Sequence, residues 1–357
     1  MHYVLDANVI VGGAFGASVH LRTLLSASRD IGYTVYVPRI VLEEVFAKYS
    51  RALASKVEEA NKVLAALSRL LDRDYKHLAD GLDVGGETKG FQERLLGQLV
   101  EARSVILEYP DTPHADLVKR ATLRKRPFDN KGHGYRDALI WQTVIELATQ
   151  VEGTVILVSQ DNHFADGQGN LHSDLIEDLI GLGLPQDKVT LAPQLATLFD
   201  EHVRTKLRTI SWDCPLRILA QQGMNLEEFI GLRIQEAYFG QEWNPSKLGL
   251  PYEYESPMLD EIEEVSNLVV VDSRELSPNQ ILVKIGAETF GDFGVFVYKP
   301  DWYISDDPRL NLDDFDWSDH YVRAKIAVPL RCELDLVVDV SHKGQYKIKN
   351  VSVKLCS

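Results

Sequence analysis

Four acidic residues stand at places in the first half of the chain where an α/β fold presents side chains for chemistry. Asp6 and Asp161 each follow a short apolar run, at residues 3–5 and 154–159, that is typical of a buried strand. Glu44 lies one turn into the helix predicted after a second strand, and Asp137 lies at the predicted start of another helix. Because ligands bind at the carboxyl ends of the strands in such sheets, we expect these side chains to converge.

Carboxylates that converge repel one another, and a divalent cation stabilises the ionised set. Oxygen ligands favour Mg²⁺ or Mn²⁺, which commonly binds one or two carboxylates together with phosphate oxygens. One such ion would activate water for phosphodiester hydrolysis, and a second could stabilise the leaving oxygen. The pattern therefore indicates a metal-dependent phosphodiesterase site.

Each acid also has a structural interpretation. Asp6 and Asp137 could cap the helices that follow them. Glu44 could face solvent, as its neighbour Glu43 could, and Asp161 could belong to an ordinary turn. The joint placement of the four acids favours the catalytic interpretation.

The elements that would position these acids alternate between strand and helix. Predicted strands at 3–5, 34–37, 154–159 and 188–191 alternate with helices, among them 39–46, 51–75, 91–107, 137–148 and 173–182. Short, wholly apolar strands between helices predict an α/β domain at residues 1–200, with a parallel sheet covered by helices on both faces. Residues 201–264, helical in pattern at 216–239, are predicted to be a helical connector, and residues 265–357 a β-rich, antiparallel C-terminal domain.

Four blocks within residues 1–200 resemble the acidic blocks of PIN-domain nucleases, in the same order. The blocks are residues 4–10 with Asp6, 38–45 with Glu44, 134–141 with Asp137, and 157–164 with Asp161. The resemblance implies a Rossmann-like three-layer fold and Mg²⁺- or Mn²⁺-dependent cleavage of single-stranded RNA. It also implies that Asp6, Glu44, Asp137 and Asp161 bind the metal directly or through water, while Asn8 and Ser159 support the first and last acids.

The chain departs from this family at His163. Many PIN-domain proteins carry a further aspartate two residues after the last acid, where this chain has a histidine. The departure puts a second metal ion in question. His163 could contact phosphate, transfer a proton or be an ordinary loop residue.

A basic stretch precedes Asp137. Residues 119–136 contain seven bases and one acid, in a chain whose formal charge is −15. The stretch is predicted to bind the phosphates of the nucleic acid, although it could also be a solvated surface. The residues predicted to contact phosphates are Arg124, Lys125, Arg126, Lys131 and Arg136.

Composition narrows the remaining possibilities. Three widely spaced cysteines without a CxxC pattern favour a reducing compartment, and no long apolar run suggests a membrane span, so we expect a cytoplasmic protein. Residues 201–357 carry 26 acids and 17 bases, so this half is not expected to be the main nucleic-acid surface. It is predicted to mediate self-association, or to bind a recruiting or inhibitory protein.

Taken together, the sequence predicts an endoribonuclease that hydrolyses single-stranded RNA with Mg²⁺ or Mn²⁺. Two alternatives remain open at this point. One is a structure-specific DNA nuclease, and the other is a non-catalytic RNA-binding or regulatory scaffold.

Overall fold

The computed structural model describes residues 1–12, 15, 18–71, 81–210, 224–277, 279–305, 307–340 and 346–356. The chain forms two compact units, Met1–Lys206 and Leu207–Ser357. Residues 72–75 of one predicted helix and 216–223 of another lie outside the described residues. Within the described ranges, no helix combines the length and the apolar composition that a membrane crossing requires.

The first unit is built on a parallel sheet of five short, apolar strands, as the sequence predicts. The strands are β1 His2–Leu5, β2 Thr34–Pro38, β3 Val105–Leu107, β4 Val155–Val158 and β5 Val189–Ala192. Their order is β3-β2-β1-β4-β5, and every neighbouring pair is parallel. All four residues of β4 are buried, which explains the uninterrupted apolar run at this point of the sequence.

The strand order reverses between β1 and β4. The chain runs outward from β1 to β2 and β3, then returns to place β4 and β5 on the other side of β1. Right-handed crossovers put the helices of these two halves on opposite faces of the sheet. The helices are α1 Ala7–Gly12, α2 Val19–Ile31, α3 Arg39–Leu71, α4 Val84–Glu101, α5 His114–Thr122, α6 Tyr135–Gln150, α7 Ser173–Gly181 and α8 Leu195–Leu198. The carboxyl ends of β1 and β4 therefore border the crevice where such sheets bind ligands.

Two of the predicted helices have different bounds in the structure. Helix α3 runs without a break for 33 residues from Arg39, where we expected separate helices at 39–46 and 51–75. The helix predicted at 91–107 ends at Glu101, because Arg103 adopts a left-handed φ of 53°. The residues after it form the edge strand β3, which pairs with β2.

The second unit is the antiparallel, β-rich domain that the sequence predicts. Its strands are β6 Arg208–Thr209, β7 Tyr254–Ile262, β8 Ser266–Ser277, β9 Gln280–Tyr298, β10 Leu310–Asp314, β11 Tyr321–Val340 and β12 Tyr346–Cys356. The long strands β9 and β11 pair with each other, and the remaining strands extend from them. Helices α9 Leu226–Tyr238 and α10 Lys299–Ile304 complete the unit.

The segment predicted as a connector contributes structure to this second unit. The side chain of Gln235 in α9 donates to the carbonyl of Asp260 in β7 at 2.8 Å, and Tyr238 donates to the carbonyl of Val353 in β12 at 2.9 Å. Ile230 and Ile234 of α9 are fully buried in the core of this unit. Helix α9 therefore packs on the sheet of the C-terminal unit.

Candidate active site

Asp6 is a buried carboxylate at the carboxyl end of β1. Only 4% of its surface is exposed, and the backbone N–H of Ala7 donates to Oδ1 at 2.6 Å. Asn8 Nδ2 donates to Oδ2 at 2.8 Å, and Ser159 Oγ donates to the same oxygen at 2.5 Å. Asp6 is therefore more than a cap of α1, because Ser159, the residue after β4, donates a hydrogen bond to its second carboxylate oxygen.

Electrostatics connect Asp6 with two other predicted acids. Burial raises the pKa of Asp6 to about 6, whereas the hydrogen bonds from Ser159 and Ala7 lower it. The negative charges of Asp137 and Asp161 raise this pKa further. The fold thus brings these three carboxyl groups within electrostatic range of one another.

Asn8 and Ser159 join the ends of β1 and β4. Ser159 Oγ accepts hydrogen bonds from the backbone N–H of Asp161 at 3.0 Å and from Asn8 Nδ2 at 3.2 Å. The side-chain oxygen of Asn8 in turn accepts from the backbone N–H of Gln160 at 3.2 Å. The structure places both residues where the sequence predicts supporting groups.

Asp137, Asp161 and His163 form the tightest group of possible metal ligands. One donor atom from each lies within 4.8 Å of the other two. His163 Nδ1 is 2.8 Å from Oδ2 of Asp137 and 3.4 Å from Oδ1 of Asp161. Burial raises the pKa of Asp137, the hydrogen bond with His163 lowers it, and the charge of Asp161 raises it. His163 is therefore part of the acidic cluster.

Glu44 borders this cluster from α3. Its side chain is 11% exposed, and Oε1 lies 2.7 Å from Lys48 Nζ and 3.1 Å from Arg136 Nη1. Its charge contributes to the raised pKa of Asp137, so Glu44 also lies near the cluster. The sequence interpretation missed Lys48, although its position four residues after Glu44 on a helix indicates this ion pair.

The loop that leads into α6 is fixed by local hydrogen bonds. Asp129 Oδ1 accepts from the backbone N–H groups of Lys131 and His133, both at 2.8 Å. Gly134 has a φ of 119°, and a Cβ atom at this position would lie 2.4 Å from the carbonyl oxygen of Pro127. Only glycine fits this approach, which fixes the first turn of α6 and thus Asp137.

The predicted phosphate-binding residues are in different environments. Arg136 is paired with Glu44 at the acidic cluster, and Lys125 is paired with Asp178 and Glu177 of α7 at 3.1 and 3.4 Å. Arg124 and Lys131 are exposed, and Arg126 is half-buried. Across the described ranges, the side chains of these last three form no ion pair or hydrogen bond. The available cations nearest to Asp137 in sequence are therefore Lys131 and the exposed part of Arg136.

A cleft of about 560 Å³, lined by both polar and apolar residues, opens beside the supporting residues. Asn8 and Gln160 line one part of it, and Ser18 and Gln194 line another. Its amide and hydroxyl groups can donate and accept hydrogen bonds without adding charge. The cleft offers space for a neutral polar group next to the acids.

The donor set fits a divalent cation. Two carboxylates and an imidazole lie close enough to share one ion, and the buried carboxylate of Asp6 is nearby. Burial raises the pKa values of Asp6 and Asp137, and the charges of neighbouring acids raise them further, so the ionised carboxylates are unfavourable here without a cation. A cation held by Asp137, Asp161 and His163 would relieve this repulsion.

A comparison with known protein families gives a match for this region. Residues 4–164 match a family model described as PIN domain, which confirms the resemblance over all four acidic blocks. PIN domains are generally nucleases, and they typically use divalent metal ions. No curated protein and no solved structure matches the chain.

Proposed function

Because residues 4–164 match the PIN-domain family, we propose that this protein is a metal-dependent endoribonuclease that cleaves single-stranded RNA. The proposal rests on the acidic cluster at the carboxyl ends of β1 and β4. Asp137, Asp161 and His163 present three donor atoms within 4.8 Å, beside a buried aspartate. A purely structural cluster would not require so many acids near one another, since their mutual repulsion opposes folding.

The chain supplies the ligands and their supports. Asp137, Asp161 and His163 would hold a divalent cation, with Asp6 and Glu44 acting directly or through water. When bound, such a cation lowers the pKa of water and offsets charge on the phosphate oxygens. Ser159 and Asn8 keep the Asp6 carboxylate in one orientation through hydrogen bonds of 2.5 and 2.8 Å. Arg136 and Lys48 hold Glu44 on the side of the cluster that α3 provides.

The preference for RNA follows from the resemblance, because PIN-domain proteins are typically single-strand ribonucleases. Arg124, Lys131 and the exposed part of Arg136 would bind the phosphate backbone. The cleft beside Asn8 and Gln160 would receive a nucleotide next to the scissile phosphate, where amide groups can bond to a base or to a 2′-hydroxyl. We retain the proposals of a cytoplasmic location and of a partner-binding or self-association role for the C-terminal unit.

The test is cleavage of end-labelled single-stranded RNA, single-stranded DNA and a DNA flap by the full chain, with Mg²⁺, Mn²⁺ or EDTA. The variants Asp6→Asn, Asp137→Asn and Glu44→Gln should abolish or strongly reduce cleavage while the protein remains folded. Glu43→Gln is the matched control, because Glu43 is adjacent on α3 and bonds Tyr109 instead of the cluster. Its activity should equal that of the wild type.

The outcomes separate the competing functions. Cleavage of RNA that depends on both metal and Asp137 supports the proposal. Preference for the flap or for single-stranded DNA would replace it with a DNA nuclease. Metal binding and RNA binding without cleavage of any substrate would identify a non-catalytic scaffold.

A further inference from the structure

We infer that Asp137, Asp161 and His163 form a mixed carboxylate–imidazole site that selects Mn²⁺ over Mg²⁺. This inference rests on the proposed function, because it concerns the metal of the same site. It goes beyond that function by deriving the choice of ion from the imidazole nitrogen of His163.

The distances from His163 to the two carboxylates suit ligands of one ion. Ligands at right angles on a cation with bonds of about 2.1 Å lie about 3.0 Å apart, and tetrahedral ligands lie about 3.4 Å apart. His163 Nδ1 lies 2.8 Å from Asp137 Oδ2 and 3.4 Å from Asp161 Oδ1. The same nitrogen thus stands at ligand spacing from both carboxylates.

The backbone holds His163 in this position. Its N–H donates to Asp161 Oδ1 at 2.8 Å, and the next residue, Phe164, is fully buried. Phe164 also accepts a backbone hydrogen bond from His172, which closes the loop after β4. The ring therefore faces the two carboxylates because the loop is anchored on both sides of it.

The chemistry of the donors decides between the ions. Mg²⁺ binds oxygen ligands almost exclusively and retains its waters, whereas imidazole nitrogen suits ions of the transition series. A neutral imidazole also adds a nitrogen donor without a negative charge, and such a donor suits Mn²⁺ better than the harder Mg²⁺. The side chains of Asp137, Asp161 and His163 are 19%, 34% and 26% exposed, so the ion would remain open to a phosphate oxygen.

The competing role for His163 is a hydrogen bond that only orients Asp137, which the distance of 2.8 Å also suits. A positioning residue of this kind would affect both ions alike and would not place its nitrogen on the metal. A ligand would affect the affinity for Mn²⁺ selectively and would place its nitrogen on the metal. The two roles therefore give different results in metal-binding measurements.

The experiment uses the EDTA-stripped full chain as wild type, His163→Ala and His163→Asp, titrated with Mn²⁺ and with Mg²⁺ in a calorimeter. Pulsed electron spin resonance on bound Mn²⁺ then detects modulation from a coordinated ¹⁴N nucleus. The matched control is His133→Ala, which removes an exposed histidine that pairs with Asp129 on a neighbouring loop. Thermal melting of each variant verifies that it is folded.

We expect His163→Ala to lower the affinity for Mn²⁺ by about 10-fold or more and to change that for Mg²⁺ much less. His163→Asp should shift the preference towards Mg²⁺, and His133→Ala should match the wild type. The ¹⁴N modulation should be present in the wild type and absent from both His163 variants. An unchanged ratio of the two affinities in His163→Ala, or Mn²⁺ bound without ¹⁴N modulation in the wild type, would overturn the inference.

Cleavage assays separate this failure from a failure of the proposed function. If RNA cleavage depends on metal but the ratio of Mn²⁺ to Mg²⁺ affinity is the same in wild type and His163→Ala, the ligand assignment is overturned and the nuclease proposal stands. Nitrogen-coordinated Mn²⁺ without cleavage of any nucleic acid would uphold the metal site and overturn the nuclease.

Discussion

Ser159 Oγ donates a hydrogen bond of 2.5 Å to Asp6 Oδ2, although 153 positions separate the two residues in the chain. The bond joins the ends of β1 and β4, where the strand order of the sheet reverses. The same hydroxyl oxygen accepts the backbone N–H of Asp161 at 3.0 Å. Ser159 therefore links the first and last acids of the proposed site.

Replacing Ser159 with alanine should raise the pKa of Asp6 further, because the hydroxyl lowers it in the wild type. We expect the pH profile of RNA cleavage to move to higher pH, and cleavage at neutral pH to fall about 10-fold or more. Ser28→Ala is the control, because Ser28 is also buried and bonds the carbonyl of Ala102 at 2.9 Å, away from the acids. A pH profile of Ser159→Ala that matches the control would contradict a role in tuning Asp6.

The pKa of Asp6 predicts how stability depends on pH when no metal is present. Burial raises this pKa from 3.8 to about 6, so between these values the folded state binds more protons than the unfolded state. The stabilising contribution is complete below the lower value and is lost as pH rises through 6, a loss of about 3 kcal/mol. Asp6→Asn should remove this loss, so in EDTA it should be more stable than the wild type at pH 7.

Calorimetric melts in EDTA between pH 4 and 8 check this expectation on the full chain. Adding Mn²⁺ should restore stability to the wild type at neutral pH and do less for Asp6→Asn, because a cation compensates the buried carboxylate. Parallel melting curves for the two proteins across the whole pH range would show that Asp6 ionises in the fold without cost.

Gly134→Ala should destabilise the first unit and displace Asp137. The new Cβ would lie 2.4 Å from the carbonyl oxygen of Pro127, at a φ of 119°. Gly132→Ala is the matched control, because Gly132 also has a positive φ of 83° but nothing within 4 Å of its Cβ position. We expect a cost of about 1 kcal/mol for the control, from strain alone, and at least about 2 kcal/mol more for Gly134→Ala.

Melting of both variants and calorimetric titration with Mn²⁺ measure these effects. Metal affinity should fall for Gly134→Ala and remain close to that of the wild type for Gly132→Ala. Equal losses in the two variants would show that strain, and not the contact with Pro127, makes glycine necessary.

Asp178 connects three helices beneath the basic stretch, so its removal should be costly. Its Oδ2 accepts from Arg120 Nη2 at 2.6 Å and from Trp141 Nε1 at 2.9 Å, while Lys125 lies 3.1 Å from Oδ1. The Arg120 and Asp178 side chains are only 11% and 15% exposed. Asp178→Asn should therefore cost roughly 3 kcal/mol, because it leaves a largely buried guanidinium without a counter-charge.

Glu177→Gln is the control for this substitution, because Glu177 also pairs with Lys125 but is 67% exposed. Its cost should be below about 1 kcal/mol. Thermal or urea unfolding of both variants gives the comparison, and similar losses would argue against Asp178 as the connection between the helices.

The prediction that Arg124 and Lys131 bind phosphates can be tested by substituting them with alanine and measuring how RNA affinity depends on salt. Removing Arg124 and Lys131 together with alanines should reduce the slope of log affinity against log salt for single-stranded RNA by about 0.7 per lost phosphate contact. Lys56→Ala with Lys62→Ala removes the same charge from the exposed face of α3 and should leave the slope unchanged. Equal slopes in the two double variants would remove Arg124 and Lys131 from the RNA surface.

The parallel sheet and the antiparallel, β-rich character of the C-terminal region could be predicted from the amino-acid sequence. Short, wholly apolar strands such as β4 are typical of parallel sheets that lie between two layers of helices, so this pattern predicts an α/β fold. The acids at strand ends followed from the same pattern, and the four acidic blocks followed from their resemblance to PIN-domain proteins. The end of α4 could not be predicted, because Arg103 adopts a left-handed backbone conformation that is uncommon for arginine.

The division of roles among these acids depends on the assembled fold. Ser159 donates a hydrogen bond to Asp6. Glu44 forms ion pairs with Arg136 and Lys48. Asp137 and Asp161 lie close to His163. Local sequence cannot state such relationships, because they depend on strand order and on side-chain directions across residues far apart in the chain. The physical reason is that burial and neighbouring charge, which set the pKa of Asp6, exist only after the sheet has assembled.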